Sequence, residues 1–262
     1  PIAPPIEGKD LKNIFFMRTP QDAEDLRKAA ESGKIKRAVV AGGGFIGLEV
    51  AENLMSRGIR TTVIDMAPHI MPGFDPEMAE YVEDYLADNG IMTMTNTKLE
   101  AAEGTETVEK VKTSRRAIKA DALVMSLGIR ANTGFLEGTG LEMAPNHTIL
   151  VDEHLRTNDP DIYALGDCAM VTNRITGKPA WSPMGSSANI EGRIAGQNLT
   201  GADLTYPGVL GTGIVKLPGL NAGRTGLNEE AARAEGHDVI TVTTVVDDKA
   251  HYYPGAGNFI VK

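Results

Sequence analysis

Three glycines at the spacing G-x-G-x-x-G, Gly42, Gly44 and Gly47, stand between an apolar run, RAVVA, and a segment, FIGLEVAENLM, whose Ile46, Val50 and Leu54 share one helical face. A bare match of this kind is weak, but here a strand reads before it and a helix after it. An acidic residue, Asp65, ends the next strand-like run, TTVID, at about the 20-residue distance that dinucleotide recognition requires. The chemistry of each position is specific. Gly42 permits a tight turn, Gly44 lets a pyrophosphate approach the backbone, and Gly47 lets helix and strand pack closely. The helix N-terminus, with Phe45 and Ile46 in its first turn, then offers amides and a partial positive charge to the phosphates. Asp65 would accept the adenine ribose hydroxyls, and with no arginine in DMAPHIM to receive a 2′-phosphate, NAD(H) is expected over NADP(H).

A second stretch, IYALGDCAM, holds the only cysteine, Cys168, directly after Asp167 at what reads as a strand end. A thiol does electron chemistry only as an accessible thiolate, so its neighbours decide its role. The five histidines, at 69, 147, 154, 237 and 251, fall at no metal-ligand spacing, and no metal is expected.

The elements that position these residues read as alternating strands and helices. Thr19, Pro20 and Gly33 bracket a helix with a cap, a first-turn proline and a terminating glycine, and Asp75, Pro76 and Gly90 bracket another. Strand, helix, strand units of this kind imply a parallel sheet with right-handed crossovers. Thr93 to Ala120 reads as a small antiparallel excursion, closed by a buried strand in ADALVMSLG. HTILVDEHLRTNDPDIYALGD reads as two strands around an Asn-Asp-Pro turn, and SSANIEGRIAGQNLTG as a helix from Ser186. After Pro207 the texture changes to strand, helix (Asn228 to Gly236) and strand, as in a separate small unit.

The 262 residues carry 42% apolar and 23% charged side chains, ordinary for a globular chain, with a formal charge of -9. Basic residues are scattered, which argues against a nucleic-acid or anionic-membrane surface. No apolar run approaches the roughly 20 residues of a membrane helix. A single cysteine favours a reducing, cytoplasmic compartment. The opening PIAPPIEG has the character of an extended exit from a preceding domain.

VVAGGGFIGLEVAENL, LGIRANTGFL, IYALGDCA and SSANIEGRIAGQNLTG, in this order, resemble the flavoprotein pyridine nucleotide-disulfide oxidoreductases, in the branch of CoA-disulfide reductases, NADH oxidases and NADH peroxidases. The resemblance implies an α/β fold in which a Rossmann-like NAD-binding domain (13–131) is inserted in an FAD-binding domain, with residues 1–12 as its exit strand and 132–205 as its second half. Residues 206–262 would begin a partial α+β interface domain. It further implies Phe45 at the nicotinamide pocket, Glu49 paired near the flavin, Gly128 beside NAD, and Gly166 and Asp167 in the motif that holds the flavin ribityl chain. Met184 and Gly185 would lie near the isoalloxazine ring.

Relatives of this kind are homodimers that pass hydride from NADH through FAD to a redox cysteine and on to a small-molecule acceptor. That acceptor is a CoA-linked disulfide or persulfide, a peroxide or oxygen. The cysteine and the first FAD fingerprint precede the region matched here, so the chain is expected to be an interior fragment, with Cys168 as a small buried hydrophobe. HYYPGAG (His251 to Gly257) either nears a dimer interface or packs on its own domain. Two other readings differ in class. A non-catalytic NAD-binding module would lack flavin; a flavin-free short-chain dehydrogenase needs Tyr-x-x-x-Lys, which no tyrosine here supplies.

Overall fold

A computed structural model describes all residues, Pro1–Lys262. The chain begins with β1 (Ile14–Phe15) and α1 (Pro20–Glu31), then β2 (Arg37–Ala41), α2 (Phe45–Met55), β3 (Arg60–Ile64), α3 (Pro76–Asp88) and β4 (Ile91–Met94). The start of α1 is set by a capping box: the Thr19 hydroxyl accepts the Asp22 N–H while the Asp22 carboxylate accepts the Thr19 N–H at 2.7 Å. Gly58 and Gly90, both at positive φ, release the chain after α2 and α3.

Three short strands follow, β5 (Leu99–Glu103), β6 (Lys110–Thr113) and β7 (Ala117–Lys119), and then β8 (Ala122–Met125). The main sheet has the order β1-β8-β2-β3-β4, every neighbouring pair parallel. The antiparallel excursion is therefore narrower than Thr93 to Ala120: Thr93 and Met94 belong to β4 in the parallel sheet, and only β5, β6 and β7 form the antiparallel layer.

Strand alternation divides the sheet between two cores. Ala38, Val40, Val63 and Val124 face α1, α2 and α3 in a cluster of 20 buried residues. Val39, Ala41, Ile64, Leu123 and Met125 face the β5-β6-β7 layer in a second cluster of 11. Both sides of a parallel sheet are thus covered, as its two apolar faces demand. Asp121 clamps the sheet's lower edge, accepting the Lys36 and Arg37 N–H groups at 3.0 and 2.9 Å and the Arg37 guanidinium at 2.7 Å.

Residues 126–207 are sparser. β9 (Ile149–Leu150), β10 (Ala169–Thr172) and β11 (Pro179–Ala180) form a small sheet beside α4 (Gly185–Asn198). α4 starts at Gly185, one residue before the expected Ser186. Of the two strands expected around the Asn-Asp-Pro turn, the first survives only as the two residues of β9 and the second is not formed. Only the pair Arg156 and Tyr163 bridges there, and Gly166–Cys168 is a single 3-10 turn leading into β10 rather than a strand end. The reason is local: the Asp152 carboxylate takes the His154 and Arg156 N–H groups, Leu155 sits at φ 68, and Gly166 at φ 72, so no ladder can propagate.

The last elements are β12 (Gly213–Leu217), β13 (Leu220–Arg224), α5 (Glu229–Ala234), β14 (Thr244–Asp247) and β15 (Asn258–Val261). The β12-β13 hairpin is not separate in its packing. Val215 and Leu217 are buried in the same cluster as α2 and α3, and the Tyr85 hydroxyl of α3 donates to the Pro218 carbonyl at the hairpin turn. Lys262 ties the end of β15 back to the same region, pairing with Asp75 at 3.2 Å, Glu229 at 2.9 Å and Glu77.

Candidate functional site

The glycine turn is shaped by contacts that only hydrogen at Cα allows. Gly42 lies at φ 110, and a β-carbon there would sit 2.2 Å from the Ser126 carbonyl oxygen. A β-carbon at Gly47 would sit 1.9 Å from the Gly42 oxygen. Gly44 differs: it has an ordinary φ of -78, and a β-carbon would meet nothing within 4 Å. As the uncapped first residue before α2 it leaves the helix amides facing open space, the arrangement that binds an oxyanion.

Asp65 does more than its position suggested. Its Oδ2 accepts the Gly43 N–H at 2.6 Å and its Oδ1 accepts the Ala67 N–H at 2.8 Å, so the carboxylate staples the turn to the end of β3. Gly43 was not singled out from the motif, yet a β-carbon there would lie 2.8 Å from Ile70 Cγ2, so its smallness matters too. Gly128, at φ 101, follows β8 next to this turn and its carbonyl accepts the Ile2 N–H at 2.9 Å.

Phe45 opens α2 and packs, partly buried, at the margin of the larger core. Its ring meets Phe74 edge-on at 6.1 Å and lies over Gly213, where a β-carbon would be 2.7 Å from Phe45 Cε2. Phe45 thereby lines a cleft of about 350 Å³ whose other wall carries Trp181 and Met184. Ile46 and Glu49 lie elsewhere, in a groove of about 400 Å³ between α1 and α2 with Met17, Leu26 and Arg27. Phe45 and Glu49, four residues apart on one helix, therefore open onto different surfaces.

Across the cleft, Met184 and Gly185 begin α4 without a side-chain cap, and a β-carbon at Gly185 would meet open space. Behind them sits the Gly166-Asp167 turn. The Gly166 N–H donates to Glu191 Oε2 at 2.6 Å, and Trp181 Nε1 donates to the Asp167 carbonyl at 2.9 Å. Glu191 is only 1% exposed. Burial holds its carboxyl above the usual carboxylate range, opposed by the Gly166 N–H and the Tyr206 hydroxyl and reinforced by the nearby Asp167 charge. Burial likewise raises Tyr206, with the Glu191 charge adding to it. Glu191 escaped sequence reasoning because a glutamate inside a helix reads as a solvated face; the one signal available was its place among small residues in SSANIEGRIAG.

Cys168 is half-buried, donates to the Leu165 carbonyl at 3.3 Å, and packs beside Ile149, Ala164 and Ala169. Tyr252 and Tyr253 are 78% and 59% exposed at the tip of the β14-β15 hairpin, so they are not packed into their own domain. No helix is long and apolar enough to cross a membrane.

The profile described as pyridine nucleotide-disulphide oxidoreductase matches residues 1–187. The chain belongs to this family. An NADH oxidase of Methanocaldococcus jannaschii is 36% identical over all of the chain, which spans 58% of that protein. A CoA-dependent NAD(P)H sulfur oxidoreductase of Pyrococcus furiosus is also 36% identical over all of the chain, which spans 59% of it. The structure of an NAD-dependent persulfide reductase from A. fulgidus superposes with a TM-score of 0.94 at 37% identity, covering 99% of this chain and 48% of that one. The chain therefore spans about three-fifths of the length of the curated relatives it matches. The α/β architecture with its parallel sheet is that of the dinucleotide-binding domains of this family.

Proposed function

We propose that the chain supplies the NADH-binding lobe and part of the FAD site of a flavoprotein oxidoreductase. The observation that carries the reading is the convergence on one cleft of Phe45, next to the glycine turn, and Met184, at the uncapped start of α4. The residues present fit both groups. The open amides beyond Gly44 suit a pyrophosphate, Asp65 retains lone pairs for a ribose, and the open start of α4 beside the Gly166-Asp167 turn suits the polar edge and ribityl chain of a flavin.

Bound there, the nicotinamide and the flavin supply hydride transfer, and the protein supplies position and field. Gly42, Gly44 and Gly47 admit the pyrophosphate, and Gly128 borders the same turn. Phe45 shields the nicotinamide face from water. Gly166 and Asp167 hold the flavin chain through a turn fixed by Glu191, and Met184 and Gly185 present amides to the ring. Ile46 and Glu49 flank α2 on the face toward the groove with α1. The acceptor is a small molecule: a CoA-linked disulfide or persulfide, a peroxide or oxygen. Cys168 lies off the cleft, so disulfide chemistry calls on a thiol outside these 262 residues.

On this reading residues 13–131 are the NAD-binding domain, 1–12 and 132–205 belong to the FAD-binding domain, and 206–262 begin an interface domain. The exposed Tyr252 and Tyr253 support a homodimer, and the single cysteine supports a cytoplasmic setting. The test is a visible absorption spectrum of the whole protein, of which this chain supplies part of the FAD site, before and after anaerobic NADH. A flavin band that bleaches is expected. A colourless protein that still binds NADH would instead mean a non-catalytic NAD-binding module.

A further inference from the structure

The cleft contains one charged side chain, and it has no partner. Arg224 ends β13 directly opposite Gly213, the residue over which the Phe45 ring lies. No aspartate or glutamate lines the cleft, although the protein as a whole carries a charge of -9. Arg224 makes no ion pair, and its Nε is buried without a hydrogen-bond acceptor. A buried guanidinium donor without an acceptor costs free energy that a ligand oxygen can recover.

The surroundings suit a phosphate in particular. Gly73, at φ 87, makes room for the guanidinium: a β-carbon there would come within 2.8 Å of Arg224 Cζ and Nη2. Gly211 and Gly226 are also at positive φ and line the same wall, where the Gly226 N–H is held by the Leu210 carbonyl at 2.8 Å, so Arg224 is the donor that this wall offers. The uncapped start of α4 at Met184 adds a second source of positive potential across the cleft. The planar fork of arginine binds such a group through two donors at once.

We propose that Arg224 is an oxyanion-recognition residue of the cleft and that it takes the phosphate ester of a ligand whose apolar or aromatic part lies against Phe45 and Trp181. This goes beyond the oxidoreductase reading, which assigns Arg224 no role. The phosphate has two possible sources: the nicotinamide-side phosphate of the reductant, the adenosine-side phosphate then staying at the glycine turn, or a phosphorylated acceptor.

Trp181 is the only tryptophan and lines the cleft, so its fluorescence reports occupancy directly. The 262-residue protein is titrated at low ionic strength with reduced nicotinamide mononucleotide, coenzyme A, inorganic pyrophosphate and, as a carboxylate control, succinate. A saturable Trp181 response to at least one phosphate is expected, weakened at least tenfold in Arg224→Gln, partly retained in Arg224→Lys, and reduced by added salt. Response to the mononucleotide alone names the reductant as the source, and response to coenzyme A alone names the acceptor. No saturable response, equal affinity for succinate, or unchanged affinity in a folded Arg224→Gln protein would overturn the proposal. The flavin spectrum is read separately, on the whole protein: bleaching by NADH with unchanged phosphate affinity in Arg224→Gln sinks this inference alone, whereas Arg224-dependent phosphate binding with no flavin in the whole protein sinks the oxidoreductase reading alone.

Discussion

On one side of the cleft, the glycine turn rests on a five-stranded parallel sheet with cores of 20 and 11 buried residues on its two faces. On the other side, the Gly166-Asp167 turn rests on clusters of five and three, and its Gly166 N–H depends on the single carboxylate of Glu191. The first turn is shaped by sterics, with Gly42 and Gly47 packed against main-chain oxygens. The second is shaped by one buried polar contact. A steric arrangement tolerates no larger residue, whereas a polar one depends on the presence and protonation of a particular group.

Gly47→Val should therefore have the largest effect. Its side chain collides with the Gly42 oxygen, so a loss of about 3 kcal/mol is expected from denaturant melts, with NADH binding abolished. Glu191→Ala should cost about 1–3 kcal/mol by leaving the Gly166 N–H without its acceptor, and should release flavin while NADH affinity in the other lobe stays within twofold. Loss of NADH affinity in that variant would show that the two lobes are not independently held.

The two carboxylates that anchor these regions also differ in sign with pH. Glu191 is raised, so the stability linked to its protonated form is full below its unfolded pKa and is lost as pH rises through the folded value. Burial opposes ionisation of Asp121 as well, but Arg37 and the two backbone donors outweigh it and the carboxyl is lowered. Its contribution is present above the unfolded pKa and is lost as pH falls through the folded value. Asp121→Asn should cost about 1 kcal/mol at neutral pH, because the pair is partly exposed, and should flatten the acid limb of the stability profile; Glu191→Gln should flatten the opposite limb.

Gly44→Ala sharpens the contrast within the turn itself. The methyl group meets open space, so stability should change by less than about 0.5 kcal/mol while NADH binding weakens, because the methyl occupies the ligand's approach. Cys168→Ser should be the mildest, within about 0.5 kcal/mol, since serine can also donate to Leu165. Lost turnover in that variant with flavin retained would restore Cys168 as a redox residue.

Much of this was legible beforehand, for a physical reason. Thr19 and Pro20, Pro76, and the glycines at 58 and 90 act within a few residues of themselves, so their effects can be read from their neighbours; Asp75, expected as a cap, instead spends its carboxylate on the distant Glu229 N–H and Lys262. The parallel sheet followed from the strand and helix periods. Of the strands expected on either side of Asn158 to Pro160, only Ile149–Leu150 formed, because beyond it Asp152 competes for the backbone donors and no pattern of apolar residues reveals such competition.

The sequence by itself determined the Thr19 cap, the glycine stops after α2 and α3 and the alternating faces of the sheet, because each depends on the sterics and hydrogen bonds of adjacent residues. Only the tertiary structure decided that Glu191 lies beneath Gly166, that Phe45 and Glu49 open onto different surfaces, and that Arg224 stands unpaired beside Gly213 and Phe45. Those juxtapositions join residues far apart in the chain, and they are set by which apolar faces pack together and leave polar groups behind.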